Sequence, residues 1–198
     1  MNSSEPKREA LGGKSGVRTF LAARDKVLSI AITVAVVVPL VAVAAQVRPS
    51  TKGLPVAEDF RMWDTRTMRN LGLSDFRGKV VFLDIMATWC VVCKEQMPDL
   101  IAINETYGGD SFVMLSVTGD PDLNLTLEFL LMEEYRAEFS ANWTFAIPVD
   151  AYEVDRAYVV TGFPTTVIID RDGLMTYRAV GRIPLATLVA HVESTLNA

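Results

Sequence analysis

Cys90 and Cys93 are the only cysteines among 198 residues, and they stand three positions apart. A pair at this spacing has three chemical uses: a structural staple, a soft-metal site, or a dithiol that cycles to a disulfide. As a staple it is weak, because so short a closed loop removes little entropy from the unfolded chain. As a zinc site it is short of ligands, since Zn²⁺ takes four. Cu(I) suits soft sulfur, with Met86 and Met97 nearby in sequence, and this reading stays open. Redox cycling needs one sulfur held as thiolate, the species that attacks disulfides.

The flanking residues supply what a thiolate requires. The apolar run Val80-Val81-Phe82-Leu83-Asp84-Ile85-Met86-Ala87 has strand length and breaks at Thr88-Trp89. A helix predicted over 91–106, with Pro98 inside it, follows and ends before Gly108-Gly109. A helix N-terminus points N–H groups and positive dipole at the Cys90 sulfur. Cys90 is then the attacking thiol, and Cys93, one turn deeper, resolves the mixed disulfide. Val91 and Val92 add no cation or imidazole between them, which argues for a reducing pair. A thiol oxidase is the competing direction.

Asp84 sits mid-strand among apolar neighbours, where an unpaired carboxylate is costly. Either this side of the strand faces water, or the carboxyl is buried with a raised pKa and moves protons to and from Cys93. The sole histidine, His191, lies far away in the last predicted helix and reads as a solvated or partly packed imidazole.

Strands are predicted at about 79–87, 111–118, 143–149, 165–170 and 175–180, the last two joined as a hairpin by Arg171-Asp172-Gly173. Shorter extended pieces fall near 60–63 and 68–73. Helices are expected over 123–139, 152–159 and 184–196. In the first of these, Leu123, Leu127, Leu130, Leu131, Tyr135 and Phe139 form the apolar stripe and Glu133, Glu134 and Glu138 the solvated face. Strand, helix, strand, helix, hairpin, helix implies an α/β domain: a mixed sheet flanked by helices.

Residues 55 to 197 resemble the membrane-anchored thioredoxin-like proteins of the TlpA/ResA/CcmG type. Trp89-Cys90-Val91-Val92-Cys93 stands for that family's W-C-x-x-C, and Pro98 for its helix proline. Gly162-Phe163-Pro164-Thr165-Thr166 resembles its cis-proline loop, and 120–157 falls where this branch carries a helix-bearing insertion. Val92 departs from the usual proline and Met86 from a common aromatic. The resemblance implies a thioredoxin-like fold, a Cys90–Cys93 redox disulfide and a buried acid at Asp84. It also implies a cis Pro164 and a substrate surface of Trp89, Phe163, Pro164 and Thr165. Cytochrome c-type biogenesis is the leading substrate setting, general repair of disulfides the next. No motif for a bound cofactor is present, so electrons must come from a membrane partner.

The remainder of the chain bears on location. Residues 27–47 carry no charge and match the thickness of a bilayer core at ~1.5 Å per residue. Six cations against three acids precede them, while residues 48–198 hold 13 cations and 21 acids. The positive-inside rule makes 1–26 a cytoplasmic tail, 27–47 a transmembrane anchor, 48–55 a linker and 56–198 an extracytoplasmic domain. Ala42-Val43-Ala44 leaves a cleaved signal peptide as the alternative. The acidic domain argues against nucleic acid as a partner.

Overall fold

The computed structural model describes residues 54–119 and 124–198. The leader, the apolar run at 27–47 and most of the linker lie outside them. Among the described residues no helix is long and apolar enough to cross a membrane. The chain lays down β1 (Arg61–Asp64), β2 (Asn70–Gly72), a 3-10 turn (Leu73–Phe76) and β3 (Val80–Met86). Next come α1 (Val91–Tyr107), β4 (Phe112–Thr118), α2 (Leu125–Glu138), β5 (Thr144–Pro148) and α3 (Ala151–Ala157). The hairpin β6 (Thr165–Ile169) and β7 (Met175–Val180) and a last helix, α4 (Leu185–Leu196), complete it.

The seven strands form one mixed sheet in the order β2-β1-β5-β4-β3-β6-β7. β3 runs parallel to β4 and antiparallel to β6, so it has a hydrogen-bonded neighbour on each side. All seven of its side chains are buried, because helices cover both faces of the sheet. Pleating divides them. Val80, Phe82 and Met86 join one core with α1, α2 and α4, while Val81, Leu83 and Ile85 join another with Val154 of α3 and the segment before β1. Asp84, by the same alternation, points into the α1 core.

The β6–β7 turn follows from its residues. Asp170 Oδ1 accepts from the Asp172 and Leu174 N–H groups at 3.0 and 2.8 Å, and Gly173 takes a φ of +84° that suits glycine. At the N-terminal end, the Met175 N–H donates to Pro55 O at 2.8 Å, so the folded domain begins inside the predicted linker.

The packed face of α2 matches the predicted stripe in part: Tyr135 is buried and Leu131 and Phe139 are half-buried, as expected. Glu128 and Met132 are buried as well, whereas Leu127 and Leu130 are exposed; Leu123 lies outside the described residues. Aromatic packing decides the rotation. Tyr135 meets Phe139 and Phe145 with ring centroids 5.1 and 6.2 Å apart, and wide rings bury more surface here than the leucines would. The helix begins at Leu125 because Asn124 Oδ1 caps the Thr126 N–H at 3.0 Å.

Candidate active site

β3 ends in a tight turn in which the Cys90 N–H donates to Ala87 O at 3.0 Å. That turn makes Cys90 the N-cap of α1, where its Sγ accepts the Cys93 N–H at 3.1 Å. An N-cap sulfur next to unpaired N–H groups and the positive helix end is favoured as thiolate. The two cysteines are joined as a disulfide, with Cα atoms 5.2 Å apart. Both cysteines are shielded, Cys90 as the N-cap and Cys93 one turn into the helix. Val91 and Val92 face solvent. Met86 and Met97 are both buried in the core behind the pair.

The Phe163–Pro164 peptide bond is cis. The Pro164 carbonyl accepts from the Gly181 N–H at 2.7 Å, and the Thr165 hydroxyl donates to Gly162 O at 2.7 Å. Thr165 is wholly buried, so its side chain braces the loop from beneath and offers no surface. Among the described residues, no main-chain hydrogen bond engages the Phe163 backbone. The Phe163 ring meets Trp89 edge-on at 6.0 Å, and Trp89 is 63% exposed. A Cβ on Gly119 would lie 2.6 Å from that ring, so the close approach of β4's end to Phe163 depends on glycine.

Asp84 is 3% exposed, and Ser116 Oγ donates to its Oδ2 at 3.0 Å. Burial pushes the carboxyl pKa from an ordinary 3.8 up to about 7, with the Ser116 bond opposing the rise. The water-facing alternative for this side of β3 is thereby excluded. Tyr135, also buried, brings a hydroxyl without a hydrogen-bond partner into this core, and burial first, then the Asp84 charge, raise its pKa. His191 stacks on Tyr177 with centroids 3.9 Å apart, away from the cysteines in sequence and in a different helix.

A groove of about 290 Å³ lies between the Trp89 turn and α2, lined by Thr88, Trp89, Lys94, Leu131, Tyr135 and Glu138. A larger hollow, about 560 Å³, lies by the C-terminal end of α1 and the starts of β4 and β5. Since β4 runs parallel to β3, that is the end of the sheet opposite the dithiol, and its polar lining has no thiol.

Three of these residues carry no sequence signal of their role. Gln96 is buried and accepts from the Ile183 N–H at 2.7 Å while donating to Ile183 O at 3.1 Å, tying α1 to the loop before α4. Gly119 and Ser116 are equally silent in one dimension. Only the β3–β4 register, which sets Asp84 beside Ser116, could have raised the second.

Chemistry and scaffold together place this chain among the thiol–disulfide oxidoreductases of thioredoxin-like fold. The model of the Redoxin family matches residues 53–194. The chain belongs to that family. It is 33% identical over 140 residues to the thiol-disulfide oxidoreductase ResA of Geobacillus thermodenitrificans, spanning 70% of this chain and 75% of that one. It is 31% identical over 127 residues to the thioredoxin-like protein YneN of Bacillus subtilis, spanning 63% and 69%. Among solved structures, one assigned as a DsbE thiol:disulfide interchange protein of Chlorobium tepidum shares 28% identity at a TM-score of 0.62, over 74% of this chain and 99% of that one. A thiol-disulfide isomerase of Corynebacterium glutamicum, 18% identical at 0.62 over 74% and 98%, shares the fold.

Proposed function

We propose that this oxidoreductase is a membrane-tethered, extracytoplasmic reductase of protein disulfides. The observation that carries the reading is the N-cap Cys90 sulfur, with the unengaged Phe163 backbone in the neighbouring cis-proline loop. An extended substrate strand pairs with the Phe163 main chain, and Trp89, Phe163 and Pro164 contact its side chains. Thr165 supports that surface from below.

The Cys90 thiolate attacks one sulfur of the substrate disulfide. A mixed disulfide forms, and the other substrate sulfur leaves as a thiolate that takes a proton from water. Asp84 takes the Cys93 proton, and the Cys93 thiolate attacks the Cys90 sulfur. The second substrate sulfur departs as a thiolate and takes a proton from water, Asp84 gives its proton up to solvent, and the pair is left as the Cys90–Cys93 disulfide. Two electrons have passed to the substrate, and a thiol-transferring membrane protein returns two to restart the cycle. Apocytochrome c is the substrate class that the resemblance implies. Residues 1–26 and 27–47 serve as tail and anchor, and the linker runs from 48 up to the folded domain, which begins at Pro55.

The test is a Cys93→Ala trap in the full chain. Attack by Cys90 then stops at the mixed disulfide, and substrates stay covalently bound until reductant is added. Capture of extracytoplasmic proteins with paired cysteines, apocytochrome c among them, is the expected outcome. A trap that collects nothing while Cys90→Ala behaves identically would overturn the reading.

A further inference from the structure

Asp84 is not alone on its side of the sheet. Register sets it between Ser116 on β4 and Thr166 on β6. Beyond Ser116, on the approach to β5, lies Trp143, whose indole Nε1–H donates to Ser116 Oγ at 3.0 Å. All three members of this line are buried: Trp143 is 8% exposed, Ser116 is fully enclosed and Asp84 is 3% exposed. Trp143 is further fixed by stacking on Phe145 at 5.6 Å.

We propose that Ser116 and Trp143 are positioning residues for the Asp84 carboxyl, the indole N–H holding the Ser116 hydroxyl so that its single proton is committed to Asp84. The inference deepens the reading of Asp84 as the base that serves Cys93. An indole N–H can only donate, so the Ser116 oxygen must accept on that side. One lone pair is thereby used, and the hydroxyl proton turns toward Oδ2. This arrangement matches a carboxylate, which only accepts, better than a neutral carboxyl, which has a proton of its own to place. Accepting from Trp143 also polarises the Ser116 O–H and makes it the stronger donor. Burial drives Asp84 toward the neutral form, and the hydrogen bond from Ser116, which Trp143 orients, opposes the rise.

Other groups reach the same core. α1 contributes Cys90 and Cys93, and Lys94 sits over the Tyr135 ring at 5.6 Å. α2 contributes the Tyr135 hydroxyl and, on the same packed face, Glu128. β6 contributes the Thr166 hydroxyl, and α4 contributes Leu188 and Val192, with His191 of that helix stacked on Tyr177 at the edge of this core. Of the described hydroxyls around Asp84, Ser116 is the one bonded to it.

The test reads the carboxyl itself. The oxidised full chain, in detergent and labelled with ¹³C at aspartate side chains, is titrated by NMR, with Asp84→Asn assigning the resonance. Ser116→Ala should raise the Asp84 midpoint by about one unit, the scale of one lost charge-assisted bond. Trp143→Phe, which keeps the stacked ring, should raise it by less. In the Ser116→Ala background Trp143→Phe should add nothing, because Trp143 acts through the hydroxyl. Ser116→Thr, which restores the hydroxyl, should return the midpoint to the wild-type value. A purely structural role predicts loss of melting temperature without movement of the midpoint, and that result overturns the proposal. So does a Trp143→Phe shift that survives without the hydroxyl. If Trp143→Phe does not fold, the Ser116→Ala and Ser116→Thr pair decides alone. The midpoint moves whether or not Asp84 takes part in turnover, so a failure here is distinct from unchanged resolution in Asp84→Asn.

Discussion

Asp84 carries the sharpest consequences at the scale of single residues. With its pKa raised to about 7, its ionised fraction, the form able to take a proton, grows as pH rises through neutrality. Resolution by Cys93 should therefore quicken as pH rises through about 7, and Asp84→Asn should flatten that profile. The loss at pH 8 should approach the ~10²–10⁴-fold typical of general acid–base assistance. Stopped-flow reduction of a model disulfide across pH 6 to 9 reads both. Stability moves in the opposite sense. Well below pH 3.8 the carboxyl is neutral whether folded or unfolded, and the fold bears no handicap. Between the unfolded value near 3.8 and the folded value near 7 the unfolded chain alone ionises, so stability falls with rising pH and then levels. Asp84→Asn should thus be the more stable protein in urea melts at pH 8, by an upper bound of about 4 kcal/mol, and the gain should vanish well below pH 3.8. The choice between buried base and surface acid was beyond the sequence, because a fully buried strand shows no alternation to tell which side Asp84 takes.

At the scale of elements, the strand, the cysteine helix and the hairpin were legible, each having strong local signals: an apolar run, a C-x-x-C before a helix, an Asp-Gly turn. α2 was legible as a helix but not in its rotation: the predicted stripe ran through Leu127 and Leu130, which are exposed, whereas the packed face is set by Tyr135 against Phe145 on β5, which no local pattern contains. The contact of β4's end with Phe163 was equally hidden. Gly119→Ala should displace the Phe163 ring, at a cost of about 1–3 kcal/mol in denaturant unfolding. Turnover of protein disulfides should fall several-fold while a small aromatic disulfide is reduced at nearly the wild-type rate. Equal losses on both substrates would show that the ring does not contribute to the docking surface.

For the whole molecule, two measurements bear on the reading. Val91 and Val92 give the Cys90 thiolate no charged support, so a glutathione titration should return a potential nearer ~−270 mV than the ~−120 mV of a strong oxidant. A value above ~−180 mV would mark an oxidase or isomerase instead. Membranes washed with carbonate should retain the full chain, with the domain open to external protease. A soluble product starting near Ala45 would establish a cleaved signal peptide.

The place of β3 in the sheet has a consequence for how the chain is made. Its pairing with β4 joins residues about 30 apart, such as Asp84 and Ser116, but its pairing with β6 joins Asp84 to Thr166, roughly 80 residues further on. During synthesis both thiols therefore exist well before the loop that faces them and the strand that seals Asp84's other side. On the proposed extracytoplasmic reading, a chain emerging into an oxidising compartment would present Cys90 and Cys93 as ordinary thiols, open to any passing oxidant or unfinished protein. The surface that would select a substrate is completed only when the cis-proline loop and β6 have been added to the sheet.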